Sequence, residues 1–183
     1  MKGKVKNMAN PKAVYFGGGR LSNHTAIPAV VQAVVKSGAR VHVGCQFGVD
    51  KAVVESAIAQ GFSYSLSVYS VAPPASALNH VLKAKGTGAS VWFTAGGSGS
   101  VPIKARYIRR SIAGFSGCQA AVFFNPGAGS FAVMRQAVKA GIPVSVYSSV
   151  QPSAIPNTPG LWLQTSFNQY PVFLFESNQI KLF

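Results

Sequence analysis

The sequence predicts a single α/β domain built on a Rossmann-like, doubly wound, mostly parallel sheet. Short apolar runs alternate with amphipathic stretches of about a dozen residues, the pattern of parallel strands joined by crossover helices. The runs are continuously apolar, as strands covered on both faces are. Glycine-rich loops follow four of them. With 183 residues, the chain has room for one domain with a proper core.

Ala13–Phe16 reads as the first strand and runs into Gly17-Gly18-Gly19-Arg20. Ala26–Ser37 carries apolar residues at helical spacing and stops at Gly38. Arg40–Val43 is a strand leading to Gly44-Cys45-Gln46-Phe47-Gly48, and Val49–Gln60 is a helix ended by Gly61. Ser63–Tyr69 is expected as a strand, Ala75–Lys85 as a helix after Pro73-Pro74, and Ser90–Thr94 as a strand entering Gly96-Gly97-Ser98-Gly99-Ser100. Ile103–Gly114 is a basic helix and Gln119–Phe124 a strand. Pro126-Gly127-Ala128-Gly129-Ser130 opens the helix Phe131–Ala140, and Pro143–Tyr147 is the next strand. Residues 1–11 are expected to form a flexible basic arm, and residues 12–148 the nucleotide- or nucleic-acid-binding domain. Residues 149–183 read as a proline-rich linker with two strands, Gly160–Thr165 and Pro171–Glu176, that extend the sheet edge or form a hairpin.

Seventeen Lys and Arg face only three acids, Asp50, Glu55 and Glu176, for a net charge of +14. Such a surface cannot neutralise itself and attracts polyanions. The same scarcity works against hydrolytic mechanisms that need paired carboxylates. Cys45 and Cys118 stand apart, outside any CxxC pair, and are expected to be buried free thiols. His24, His42 and His80 lack metal-ligand spacing, so no metal or cofactor is expected. No apolar run is long enough to span a bilayer and no signal-peptide core follows the N-terminal lysines, so the expected location is the cytoplasm.

Ligands of open α/β sheets bind beyond the carboxyl ends of the strands. The candidate phosphate-binding residues are therefore the loop residues Gly17, Gly18, Gly19, Arg20, Ser22, Gly44, Gly48, Asp50, Gly97, Ser98, Gly127, Gly129 and Ser130. Glycines let the backbone approach an oxyanion, and the helix that follows offers free N–H groups. Lys104, Arg106, Arg109 and Arg110 crowd one helix without an interleaved acid, and the three arginines fall within i, i+3 and i+4. Asp50 opens a helix, where capping and a hydrogen bond to a ribose or base are equally good readings. Phe47, Trp92 and Tyr107 are candidates for base stacking, with core packing as the ordinary alternative.

The ordered set of motifs resembles the DNA-processing protein A (DprA/Smf) family. It comprises the glycine loop with Arg20 and Ser22; Gly44-Cys45-Gln46-Phe47-Gly48-Val49-Asp50 with Ala52 and Ala57; Arg109-Arg110-Ser111-Ile112-Ala113-Gly114-Phe115-Ser116; and Gly129-Ser130 with Ala137, Gly141 and Pro143-Val144. That family is part of the wider SLOG superfamily with the lonely-guy phosphoribohydrolases. The resemblance covers residues 13–148 and implies a crevice for single-stranded DNA. It places Arg20 on the arginine of the family's glycine-serine-arginine loop, Arg110 on the second arginine of its arginine-asparagine-arginine motif, and Asp50 on the aspartate closing the second loop. Ile108 stands where the first arginine of that motif belongs, and Met134 where the lonely-guy enzymes carry their catalytic glutamate. The expectation is non-catalytic binding of nucleic acid, with single-stranded DNA preferred. The alternatives are a small-nucleotide sensor or sequestering protein, a phosphoribohydrolase, or an assembly scaffold; a homodimer is compatible with all of them.

Overall fold

The computed structural model describes residues 12–177; the basic arm expected at 1–11 lies outside them. The strands are β1 (Ala13–Gly18), β2 (Arg40–Val43), β3 (Leu66–Tyr69), β4 (Ser90–Trp92), β5 (Ala120–Phe124), β6 (Val144–Tyr147), β7 (Gly160–Phe167) and β8 (Tyr170–Ser177). The helices are α1 (Ile27–Lys36), α2 (Val49–Ala59), α3 (Asn79–Gly86), α4 (Ile103–Phe115) and α5 (Ala128–Lys139). They build one 8-stranded sheet in the order β4-β3-β2-β1-β5-β6-β8-β7. Every pairing from β4 to β6 is parallel. This is the expected doubly wound architecture.

The chain winds outward from β1 to β4, then returns through α4 to lay β5 on the other side of β1. Right-handed crossovers then put α1, α2 and α3 on one face and α4 and α5 on the other. Each face has its own core. Phe16, Ile27, Val31, Val43, Val53 and Phe124 pack on the first, and Tyr15, Phe115, Phe123, Met134 and Val146 on the second. In α1 the buried Ile27, Val30 and Val31 follow helical spacing, and a proline in the first turn suits a position whose N–H has no helical partner.

Several boundaries differ from the sequence expectation; α5 begins at Ala128 rather than Phe131, so Ala128–Ser130 form its first turn instead of a loop. The tandem Pro73-Pro74 supports only a 3-10 turn, Pro74–Ser76; Ala77 and Leu78 are extended, and α3 starts at Asn79. Ser63–Ser65 is likewise a 3-10 turn before β3. β4 is a short edge strand rather than a strand buried on both faces, with Trp92 57% exposed. Two helices cannot cover the second face as widely as three cover the first.

The C-terminal strands do both things the sequence allowed. β7 and β8 form a hairpin through Asn168 and Gln169, both at positive φ as a tight two-residue turn requires. β8 then pairs antiparallel with β6 and extends the sheet. The linker is tied down by the Trp162 indole N–H, which donates to the Ser153 carbonyl at 3.0 Å, and by the buried Ile155.

Both cysteines are free and buried, and burial pushes the Cys118 thiol up to about 12. Iodoacetamide at mildly alkaline pH should leave Cys118 unmodified in the folded protein and alkylate it once denaturant is added, read by mass spectrometry. Labelling of Cys118 at equal rates in both states would contradict its burial.

Candidate nucleotide-binding crevice

β1 and β5 are neighbours, but the chain leaves them for opposite faces of the sheet. Their loops therefore part, and a crevice of about 810 Å³ opens at their carboxyl ends. Its floor is Tyr15, Gly17 and Phe123 on the second face of the sheet. One wall is α4, with Lys104, Tyr107, Ile108, Arg110 and Ser111; the other is the start of α5, from Gly127 to Val133. The loop Gly19–Ser22 forms a rim, and Gln46 and Asp50 reach in from beside β1.

The rim is held to its surroundings by its own hydrogen bonds. The Ser22 hydroxyl contacts the carbonyls of Gly19 at 3.2 Å and Asn125 at 3.4 Å. Asn125, at φ +40, donates from Nδ2 to the Asn23 carbonyl at 3.0 Å. The Val49 amide donates to the Gly19 carbonyl at 3.2 Å and ties the loop to α2. Gly127 begins α5 without a side-chain cap, which leaves first-turn N–H groups beside the crevice.

The cations divide into three groups. Arg20 is exposed and lies over the Tyr107 ring, 4.8 Å from its centroid; it and the exposed Lys104 face the crevice. Arg110 lines the crevice but is 5% exposed, with Nη1 3.2 Å from Asp50 Oδ2. Burial, the largest single influence on this guanidinium, disfavours its charge; attraction from Tyr15, Asp50 and Cys45 outweighs it and its pKa is raised. Asp50, 6% exposed, also accepts from the Gln46 amide at 3.0 Å. Arg106 and Arg109 line no part of the crevice: Arg106 donates to the Val71 carbonyl, and Arg109 is exposed. The three arginines thus do not act as one basic face. A residue four positions on from Arg106 turns inward because Asp50 waits there.

Three of the four glycine loops reach the crevice: Gly17–Arg20 and Gly127–Ser130 with their glycines, and Gly44–Gly48 through Gln46 alone. Gly97 and Ser98 follow β4, at the far edge of the sheet and three strands from β1. Gly44 and Gly48 lie behind the crevice and serve packing. A Cβ on Gly44 would fall 1.2 Å from Arg110 Nη1, and one on Gly48 2.4 Å from the Gly19 and Arg20 carbonyl oxygens. The sequence reading missed Tyr15, Phe123 and Asn125. The Asn125-Pro126 pair directly after a strand was the available turn signal for the last.

Other candidates take structural places. His24 Nδ1 accepts from the Ala26 amide at 3.0 Å, and its ring packs on Phe124, Tyr147 and Tyr170. His42 Nδ1 is 2.8 Å from the Gly114 carbonyl, as a satisfied histidine in the strand should be. Trp92 stacks on Tyr69, away from the crevice. Met134 is fully buried in the core.

No protein-family model and no curated protein matches the sequence. Solved structures do resemble the fold. DNA processing protein A (DprA) from Streptococcus pneumoniae matches with a TM-score of 0.59 and 18% identity, over 80% of this chain and 52% of that one. DNA processing protein A from Helicobacter pylori, studied for its single-stranded DNA binding mode, matches with a TM-score of 0.58 and 18% identity, over 79% of this chain and 68% of that one. The chain thus spans about half the length of the pneumococcal protein. About four-fifths of the chain shares a DprA-like fold.

Proposed function

We propose that the crevice binds single-stranded nucleic acid, DNA in preference, by holding a phosphate and an adjoining base. The reading rests on one arrangement: Arg20 on the Tyr107 ring and the uncapped start of α5, both lining one crevice floored by Tyr15, Gly17 and Phe123. Arg20 and the α5 amides supply donors for phosphate oxygens. Tyr107 and Ile108 supply an apolar surface for a base, and stacking is tolerant of sequence. The net charge of +14 draws a polyanion toward the site. The single-stranded DNA binding of the Helicobacter pylori protein with this fold supports the same choice.

The test is binding of a labelled single-stranded oligonucleotide across a salt series, with duplex and free nucleotides as competitors. Affinity should fall linearly with salt on logarithmic axes, at about 0.7 per phosphate neutralised on a single strand. Arg20→Ala should weaken binding roughly tenfold to a hundredfold, since a hydrogen bond to a charged group contributes about 1.5–3 kcal/mol. Unchanged affinity in that variant would remove the site assignment. The crevice volume of about 810 Å³ also suits one small nucleotide. Displacement of the oligonucleotide by a single mononucleotide at low concentration would establish that second reading instead.

A further inference from the structure

The second face of the sheet is left bare at its β4 edge. α4 packs over β1, β2 and β3, close enough that a Cβ on Gly114 would meet the rings of Tyr15 and Tyr69, and α5 lies the other way, over β5 and β6. The parallel registers put His42, Ser67 with Tyr69, and Ser90 with Trp92 on this face. Arg40, two residues before His42 on β2, shares it. The strip they form lies on the far side of α4 from the crevice, and none of its residues lines the crevice.

Three features of the strip suit a nucleic-acid strand. The first is a fixed aromatic surface. Trp92 has its place on Tyr69, nearly parallel at 14° with centroids 6.3 Å apart, yet it is 57% exposed. Tyr69 is held from behind, its hydroxyl 3.3 Å from His42 Nδ1, which in turn is 2.8 Å from the Gly114 carbonyl. An indole already held in one orientation loses little freedom when a base stacks on it. The second is a positioned charge. Arg40 donates to the Tyr64 carbonyl at 3.2 Å and to the Ser67 and Ser90 hydroxyls at 3.3 and 3.4 Å. All three acceptors are uncharged, so the guanidinium is oriented without being neutralised. Ser90 lies about 7 Å from Trp92 along the strand, a span that one nucleotide bridges between phosphate and base. The third is the want of any acid. Asp50 and Glu55 pair with Arg110 and Lys51, and Glu176 stands on β8 toward the other end of the sheet. Arg109 on α4 is exposed, forms no ion pair among the described residues, and lies beside Gly97 in the loop after β4. An aromatic bordered by unpaired cations favours a polyanion that carries bases. A second copy of a chain of charge +14 would bring like charges together there.

We propose that this strip is a second stacking site for single-stranded nucleic acid. A base stacks on Trp92, Arg40 holds a phosphate toward the start of β4, and Arg109 holds another beside the loop that follows it. Exposed aromatics on an open sheet face bind single strands in this manner. The choice of ligand rests on the nucleic-acid reading of the crevice; the place of the site does not. A strand long enough to reach both sides of α4 binds more tightly than one that fills the crevice alone.

The chain has two tryptophans, Trp92 and the buried Trp162. The test follows both by 19F NMR in the full chain labelled with 5-fluorotryptophan, with Trp92→Phe to assign the signals, while oligothymidines of increasing length are titrated. The Trp92 signal should shift and that of Trp162 should stay. Trp92→Ala should weaken binding of the longer oligonucleotides about fivefold to a hundredfold, the effect of losing one stacked base, and Trp92→Phe should keep most of the affinity. Arg109→Gln should lower the salt slope by about 0.7, one phosphate contact. A Trp92 shift that persists in Arg20→Ala would sustain this site even where the crevice reading falls. Arg20-dependent binding with a motionless Trp92 signal would leave the crevice reading standing and overturn this one, as would parental affinity of Trp92→Ala at every length. A Trp92 signal that moves with protein concentration and not with oligonucleotide would overturn it too, and assign the strip to contact between copies of the chain.

Discussion

Asp50→Ala is expected to destabilise the protein by about 3–5 kcal/mol, because it leaves the buried Arg110 guanidinium without its counter-charge. Arg110 has little else to turn to. Its Nε already lacks a partner, and the Tyr107 ring is 5.9 Å away. For a protein of this size each kcal/mol lowers Tm by roughly 2–4 °C, so the loss should be plain in a thermal scan. Arg110→Ala should cost less. Asp50 stands in the first turn of α2 and keeps the Gln46 amide and the helix dipole. Replacing both residues with apolar side chains of similar volume should recover much of the loss, since breaking such a pair costs more than removing it. An Asp50→Ala variant as stable as the parent would mean that the pair is not closed in solution. The pair also joins the start of α2 to α4 across the back of the crevice, so losing it should weaken oligonucleotide binding as well.

Gly48→Ala should be the most damaging of the glycine substitutions. Gly48 sits at φ +71 and ψ −126, a conformation that costs a residue with a Cβ about 1–3 kcal/mol. The added methyl would also fall 2.4 Å from the Gly19 and Arg20 backbone. Backbone cannot rotate aside as a side chain can, so the rim carrying Arg20 must move. Stability and oligonucleotide affinity should therefore fall together, affinity by as much as in Arg20→Ala. Gly127→Ala is the matched control: its Cβ would meet nothing within 4 Å and its φ is ordinary, −92, so stability should change by less than about 0.5 kcal/mol. Equal denaturation midpoints for the two variants would refute the close approach at Gly48.

The glycines show where local reading stops. Gly17–Gly19 and Gly44–Gly48 look alike in sequence, each a short run after a strand. Gly17, Gly18 and Gly19 line the crevice while Gly44 and Gly48 do not, although an added Cβ would collide in both sets, with Phe124 and Val49 at Gly18 as with Arg110 at Gly44. The α4 cations show the same limit. Lys104, Arg106, Arg109 and Arg110 form one cluster by spacing, yet only Arg110 is drawn inside, by a carboxylate 60 residues earlier in the chain.

The sequence by itself determined the alternation of strands and helices, the parallel sheet they imply, and a net charge of +14 that favours polyanions. These follow from periodicity, turn residues and composition, which act over a few residues or over the chain as a whole. The order of the strands was decided only in three dimensions. It brings the β1 and β5 loops together, sends the β4 loop to the far edge, and pairs Asp50 with Arg110. It also leaves Trp92 exposed at the sheet edge, stacked on Tyr69. Contacts between residues distant in the chain depend on where the crossover helices carry each strand, and no local pattern encodes that distance.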